Sequence, residues 1–126
     1  MRDTIIKFLQ NNHFNQLDTE FDFYTNSQNS EYFIVSQYSS NDLHNFFDDD
    51  KTSQVIKEFE RLSLKSEHEN IKKNTSLFIL VEVDNLKEAF EDEKLQRSIL
   101  LIEEDYYYFR KFVLLYTQNG LSDLRD

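Results

Sequence analysis

The sequence predicts an α+β fold in which a small antiparallel sheet of about three strands is packed with helices and the C-terminal half is helical. Three observations carry that expectation. Residues 32–38 alternate, with Tyr32, Ile34, Ser36 and Tyr38 on one face and Phe33, Val35 and Gln37 on the other, as a strand does. The longest apolar run, Leu77 to Val81, has the length and β-branched content of a buried strand. Elsewhere apolar residues recur at helical spacing, as at Leu43, Phe46 and Phe47 and again at Val55, Ile56, Phe59 and Leu62. No repeat and no Pro- or Ser-rich linker divides the chain, so residues 1–126 read as a single α+β domain in which 118–126 form a polar tail.

Taken in order, residues 3–12 read as a short helix, with Ile5, Phe8 and Leu9 on one face and Asn11-Asn12 as its end. A strand at 20–25, in which Phe21 and Phe23 alternate with Asp22 and Tyr24, faces the strand at 31–38 across the polar loop Asn26 to Ser30. Two such runs across a short loop predict an antiparallel hairpin. Ser39 to Asp42 is a cap cluster ahead of a short helix that Asp48-Asp49-Asp50 stops, and a second helix spans about 52–64. Residues 63–73 are polar and charged and are expected to be the most mobile internal segment.

The strand at 76–83 is apolar on both faces, so it is expected inside a sheet covered on both sides, or covered on one side and docked on the other. Asn85 with Glu88 has the spacing of a capping box for the next helix, and a further helix over about 94–103 carries Leu95, Ile99 and Ile102. Asp105 is placed to cap a last helix in which Phe109, Phe112, Val113 and Tyr116 share a face. The same residues also fit a strand, because 112–117 is strongly β-prone.

Composition narrows the functional classes. Hydrophobic residues make up 39% of the chain, including 12 Phe and 7 Tyr, which is enough for a core. No stretch approaches the roughly 18 apolar residues that cross a bilayer, and the N-terminus lacks the apolar core and cleavage site of a signal peptide. No membrane partner is therefore expected, and cytoplasmic location is the default. With no cysteine, disulfide and thiolate chemistry are excluded. The net charge of −10 repels phosphate backbones, so no direct nucleic-acid binding is expected. With one Gly in the chain, a glycine-rich phosphate cradle cannot be built, and no cofactor is expected.

The remaining candidate sites are weak as chemistry. Glu82 and Asp84 close a hydrophobic strand, where restriction-type nucleases hold Mg²⁺ with an acid and an E-x-K; here the third position is Asp84, and the nearest lysine, Lys87, falls on the following helix. The pair is better read as a hydrated strand end and helix cap. Asp48 to Asp50 lacks the ligand spacing and Gly of a calcium loop, and His13, His44 and His68 lack zinc spacing. No catalytic or metal-binding residue is assigned. The most distinctive stretch is Ile102 to Lys111, in which three acids precede four aromatics and two basic residues. Four successive aromatics cannot all point inward, so some of Tyr106, Tyr107 and Tyr108 must stay exposed. Exposed Tyr beside Arg110 has the composition of a protein interface.

The pairing of Lys73-Asn74-Thr75-Ser76-Leu77 with residues 102–117, which read IEEDYYYFRKFVLLYT, resembles the small middle component of bacterial three-component ABC systems, the group that includes Lamassu-type anti-phage defence. The resemblance covers about the last 45 residues well, and the strand around Tyr32 to Val35 and the helix around Leu43 to Phe47 only loosely. The family pattern has proline where this chain has Tyr106 and Leu115. The resemblance implies a non-catalytic accessory subunit between an SMC- or Rad50-like ABC ATPase and an effector such as a nuclease. Two other readings compete with it. One is an acidic inhibitor that mimics DNA or counters defence, against which 14 Lys and Arg are interspersed with the 24 acids. The other is a metal-dependent nuclease using Glu82 and Asp84.

Overall fold

A computed structural model describes residues 1–120. The hairpin is the element that local pattern specified best. Strand β2, Asp22–Thr25, pairs antiparallel with β3, Tyr32–Ser39, in the register Phe23 with Ile34, and a two-residue strand β1, Asn15–Gln16, adds to its outer side. The loop between β2 and β3 is closed by Asn26, whose Oδ1 accepts from the Ser30 amide at 2.9 Å. Asn29 takes the left-handed conformation at φ 50°, which Asn tolerates better than most non-glycine residues, in a loop that has no glycine.

Beyond the hairpin the sheet differs from the expected three antiparallel strands. It has five strands in the order β1-β2-β3-β4-β5, and it is mixed. Strand β4, Thr75–Glu82, pairs parallel with β3, and β5, Arg110–Tyr116, pairs parallel with β4, Leu77 lying opposite Lys111. The reason is connectivity. A hairpin turn forces antiparallel pairing, whereas the links from β3 to β4 and from β4 to β5 each carry helices long enough to return the chain to the same end of the sheet. The first link holds a 3₁₀ turn, Leu43–Asp48, and helix α2, Asp50–Ser63; the second holds α3, Leu86–Glu91, and α4, Glu93–Glu103.

The largest correction concerns residues 110–116, read from sequence as part of a last helix. They form the strand β5. Their alternation places Val113 and Leu115 against the core on one side and Leu114 and Tyr116 on the other, which a helix cannot do. Residues 118–120 are helical, and the remainder of the expected polar tail, 121–126, lies outside the described residues.

Both faces of β4 are covered, which accounts for its two-sided apolarity. Leu77, Ile79 and Val81 meet Phe46, Val55, Phe59, Leu62, Leu95 and Ile102 from the helical layer. Leu80, with Tyr24 and Val35, meets Leu9, Ile5 and Ile6 of helix α1, Arg2–Asn11, on the opposite face. Beside α1 that face carries a row of rings across the sheet. Phe14 stands edge-on to Phe33 at 5.1 Å, Phe33 stacks on Phe78 at 5.4 Å, and Phe78 meets Phe112 at 5.9 Å. The cap expected at Asn85 forms, its Oδ1 accepting from the Glu88 amide at 2.9 Å, and Asp92, not marked from the sequence, caps α4 by accepting from the Leu95 amide at 3.1 Å. One of the three aspartates read as a helix stop, Asp49, is the N-cap of α2.

The polar segment 63–73, expected to be the most mobile, is anchored. It contains a 3₁₀ turn, Ser66–His68, and buries His68 and Ile71. His68 Nδ1 lies 2.7 Å from the Tyr32 hydroxyl inside the core, and burial holds its pKa below the ordinary imidazole value.

Candidate functional site

The loop between α4 and β5 carries three of the four residues that the sequence marked as an interface, Tyr106, Tyr107 and Tyr108, and the fourth, Arg110, begins β5. Tyr106 is 80% exposed and Tyr107 79%, while Tyr108 and Arg110 are less extreme but also exposed. This exposure is costly for large apolar rings, and the loop accepts it without a helix to support it. Asp105 does not cap a helix. Its Oδ1 accepts from the Tyr107 amide at 3.1 Å and closes a tight turn. The Phe109 amide donates to the Tyr107 carbonyl at 2.9 Å, and Tyr108 between them is left-handed at φ 71°. For a bulky non-glycine residue that conformation costs roughly 1–2 kcal/mol, so something else must hold the loop.

That residue is Lys111, which sequence reading did not single out. It sits on β5 with its side chain turned into the protein, 4% exposed, in the same inward register as Phe109 and Val113. Its Nζ donates to the carbonyls of Asp105 at 3.2 Å, Tyr107 at 2.8 Å and Phe109 at 3.2 Å. Asp105 Oδ2 lies 3.4 Å away, and the ammonium stands 5.0 Å from the Phe109 ring centre. An ammonium has three N–H donors and here meets three carbonyls, so the loop backbone is wrapped on the charge. Burial pushes the Lys111 pKa below the ordinary amine value, and the Asp105 carboxylate works against that shift. The only signal in the sequence was positional: a lysine at an inward step of an otherwise apolar alternation.

The clamped loop packs on α2 through Phe109, whose ring meets Phe59 edge-on at 5.1 Å. Tyr106 and Tyr108 thereby line an open groove of about 770 Å³ together with Lys57, Arg61 and Leu64 from α2 and its C-cap, and Lys72 from the following segment. Arg110 is not part of that groove. It lines a separate hollow with Glu31, Tyr32, Lys73 and Asn74. The structure therefore brings three of the four marked residues into one loop and sets the fourth apart.

The acidic candidates stay dispersed. Glu82 and Asp84 are exposed at the end of β4, where Gln118 donates to the Glu82 carboxylate. Among the described residues no group of three or more His, Asp or Glu side chains is placed to hold a metal ion. His13 and His44 are exposed and apart from the buried His68. No helix among these residues is long and apolar enough to cross a membrane.

The family model described as ABC-three component (ABC-3C) system Middle Component 1 matches residues 31–126, a span that takes in β3, the whole helical layer, β4, the tyrosine loop and β5. No curated protein and no solved structure matches the chain. The match covers well over half of the 126 residues, and by it the chain belongs to the ABC-3C Middle Component 1 family.

Proposed function

We propose that this chain is a non-catalytic accessory subunit that joins an SMC- or Rad50-like ABC ATPase to an effector, a nuclease in the simplest case, within a bacterial anti-phage defence complex of the Lamassu kind. Family membership supports the place in a three-component system. The observation that carries the adaptor role is the tyrosine loop: two rings about four-fifths exposed, on a backbone that a buried ammonium holds rigid. Rigid exposed aromatics give contact area at small ordering cost, which is what a docking surface requires. The same economy is visible elsewhere on the surface, where Phe90, Leu100 and Leu101 of the second crossover are also exposed. A subunit of this kind works in the cytoplasm beside its ATPase.

The test is co-purification. The tagged chain expressed with the ATPase and effector of its own system is expected to bring both down. Tyr106→Ala with Tyr107→Ala is expected to weaken assembly at least tenfold, the effect of losing hot-spot aromatics, with an unchanged circular dichroism spectrum. Recovery of neither partner with the unsubstituted chain would overturn the adaptor reading.

A further inference from the structure

The groove beside the tyrosine loop has a charge opposite to that of the molecule. The chain carries a net −10, yet the groove is lined by Lys57, Arg61 and Lys72 against one acid, Glu60. Arg61 is engaged by Glu58. Among the described residues Lys57 and Lys72 have no ion-pair partner, so two ammonium groups of the lining are free to pair with an incoming carboxylate. The same lining includes Leu64, which is 86% exposed at the C-cap of α2. An apolar side chain that exposed, flanked by rings and by unpaired cations, is a surface lacking its complement.

We infer that this groove receives an acidic peptide segment of a partner subunit, in which apolar side chains lie on Leu64, Tyr106 and Tyr108 while carboxylates pair with Lys57 and Lys72. The inference rests on the adaptor reading and names the chemistry of one of its contacts. Charge complementarity selects the occupant. A protein segment can concentrate a few carboxylates at the two lysines and leave the rest of its surface neutral. A nucleic-acid strand carries a charge at every phosphate and would meet the field of the whole acidic molecule. The volume, about 770 Å³, suits a short segment with a few anchoring side chains rather than a domain face. The Lys111 clamp fixes the tyrosine part of the lining in advance, which limits the ordering cost of binding.

A random dodecapeptide library displayed on phage and panned against the intact chain tests this. Enriched peptides should combine Asp or Glu with Leu, Ile, Phe or Trp. A fluorescein-labelled copy of an enriched peptide should bind Lys57→Glu/Lys72→Glu at least tenfold more weakly, bind Lys57→Arg/Lys72→Arg normally, and weaken with Leu64→Ala/Tyr106→Ala. Raising the salt should weaken it too, since both lysines are exposed. No enrichment, enrichment of basic peptides, or affinity indifferent to the charge reversal would overturn the inference. So would a labelled oligo-dT probe that binds the chain and is lost on the same reversal, which would assign the groove to nucleic acid. If the reversed chain still co-purifies with ATPase and effector at full yield, the groove is not a contact while the adaptor reading stands; if the unsubstituted chain recovers neither, that reading falls first.

Discussion

Replacing Lys111 by methionine tests the central structural argument directly. Methionine keeps much of the side-chain volume and removes the ammonium. Three carbonyls then lose the ammonium as a donor: that of Phe109 in a buried setting, and those of Asp105 and Tyr107 where the bonds are only part-buried, the Tyr107 carbonyl keeping the Phe109 amide. A buried acceptor left unpaired costs about 1–3 kcal/mol, and those that water can reach cost less. Two effects offset this. The substitution removes the desolvation cost of a buried charge, and a loosened loop is free to relieve the left-handed Tyr108. The net expectation is a loss of about 1–2 kcal/mol. With a urea dependence of about 1–3 kcal/mol per molar for a domain of this size, the unfolding midpoint should fall by at least about 0.3 M at an unchanged slope. Far-UV circular dichroism in urea reads the midpoint. Hydrogen exchange reads the loop, because the amides of Tyr107 and Phe109, protected by Asp105 Oδ1 and the Tyr107 carbonyl, should lose protection first. A midpoint moved by less than about 0.2 M with both amides still protected would refute the clamp.

Two further perturbations read other parts of the fold. Asp92→Ala removes the side-chain acceptor for the Leu95 amide at the start of α4 and should cost about 1 kcal/mol in thermal or urea unfolding, with Asp92→Asn close to unchanged; equal stability of all three would remove the cap. His68 is held neutral by burial, so its folded-state pKa lies below the ordinary 6.5 and the unfolded chain binds its proton first. Stability from this group is therefore complete above about pH 6.5 and falls as the pH drops from there towards the folded pKa, by at most about 1.4 kcal/mol per pH unit. Urea midpoints at pH 7 and pH 5.5 should show the loss, and His68→Gln should not; a parallel fall in both proteins would place the acid sensitivity elsewhere.

Local order was determined by the sequence on its own. The alternation of residues 32–38 put Tyr32, Ile34 and Tyr38 on one face and Phe33 and Val35 on the other, and the sheet keeps that division. The stripe of Val55, Phe59 and Leu62 and the Asn85 cap are likewise properties of a few neighbouring residues, since spacing and side-chain chemistry set them before any distant contact forms. The exposure of tyrosines at 106–108 was legible too, because four consecutive aromatics exceed what one face of any element can bury. What needed the tertiary structure was everything decided by the neighbour rather than by the chain. Whether β4 pairs parallel or antiparallel depends on the helices that return the chain to it, and whether 110–116 coils or extends depends on the open edge of β4 that it completes. His68 and Ile71 are buried in a segment whose composition is polar because Tyr32 and the helical layer happen to cover it. Lys111 is the extreme case. A lysine is read as a surface residue, and only the convergence of three carbonyls from a loop bent back over it makes its burial favourable.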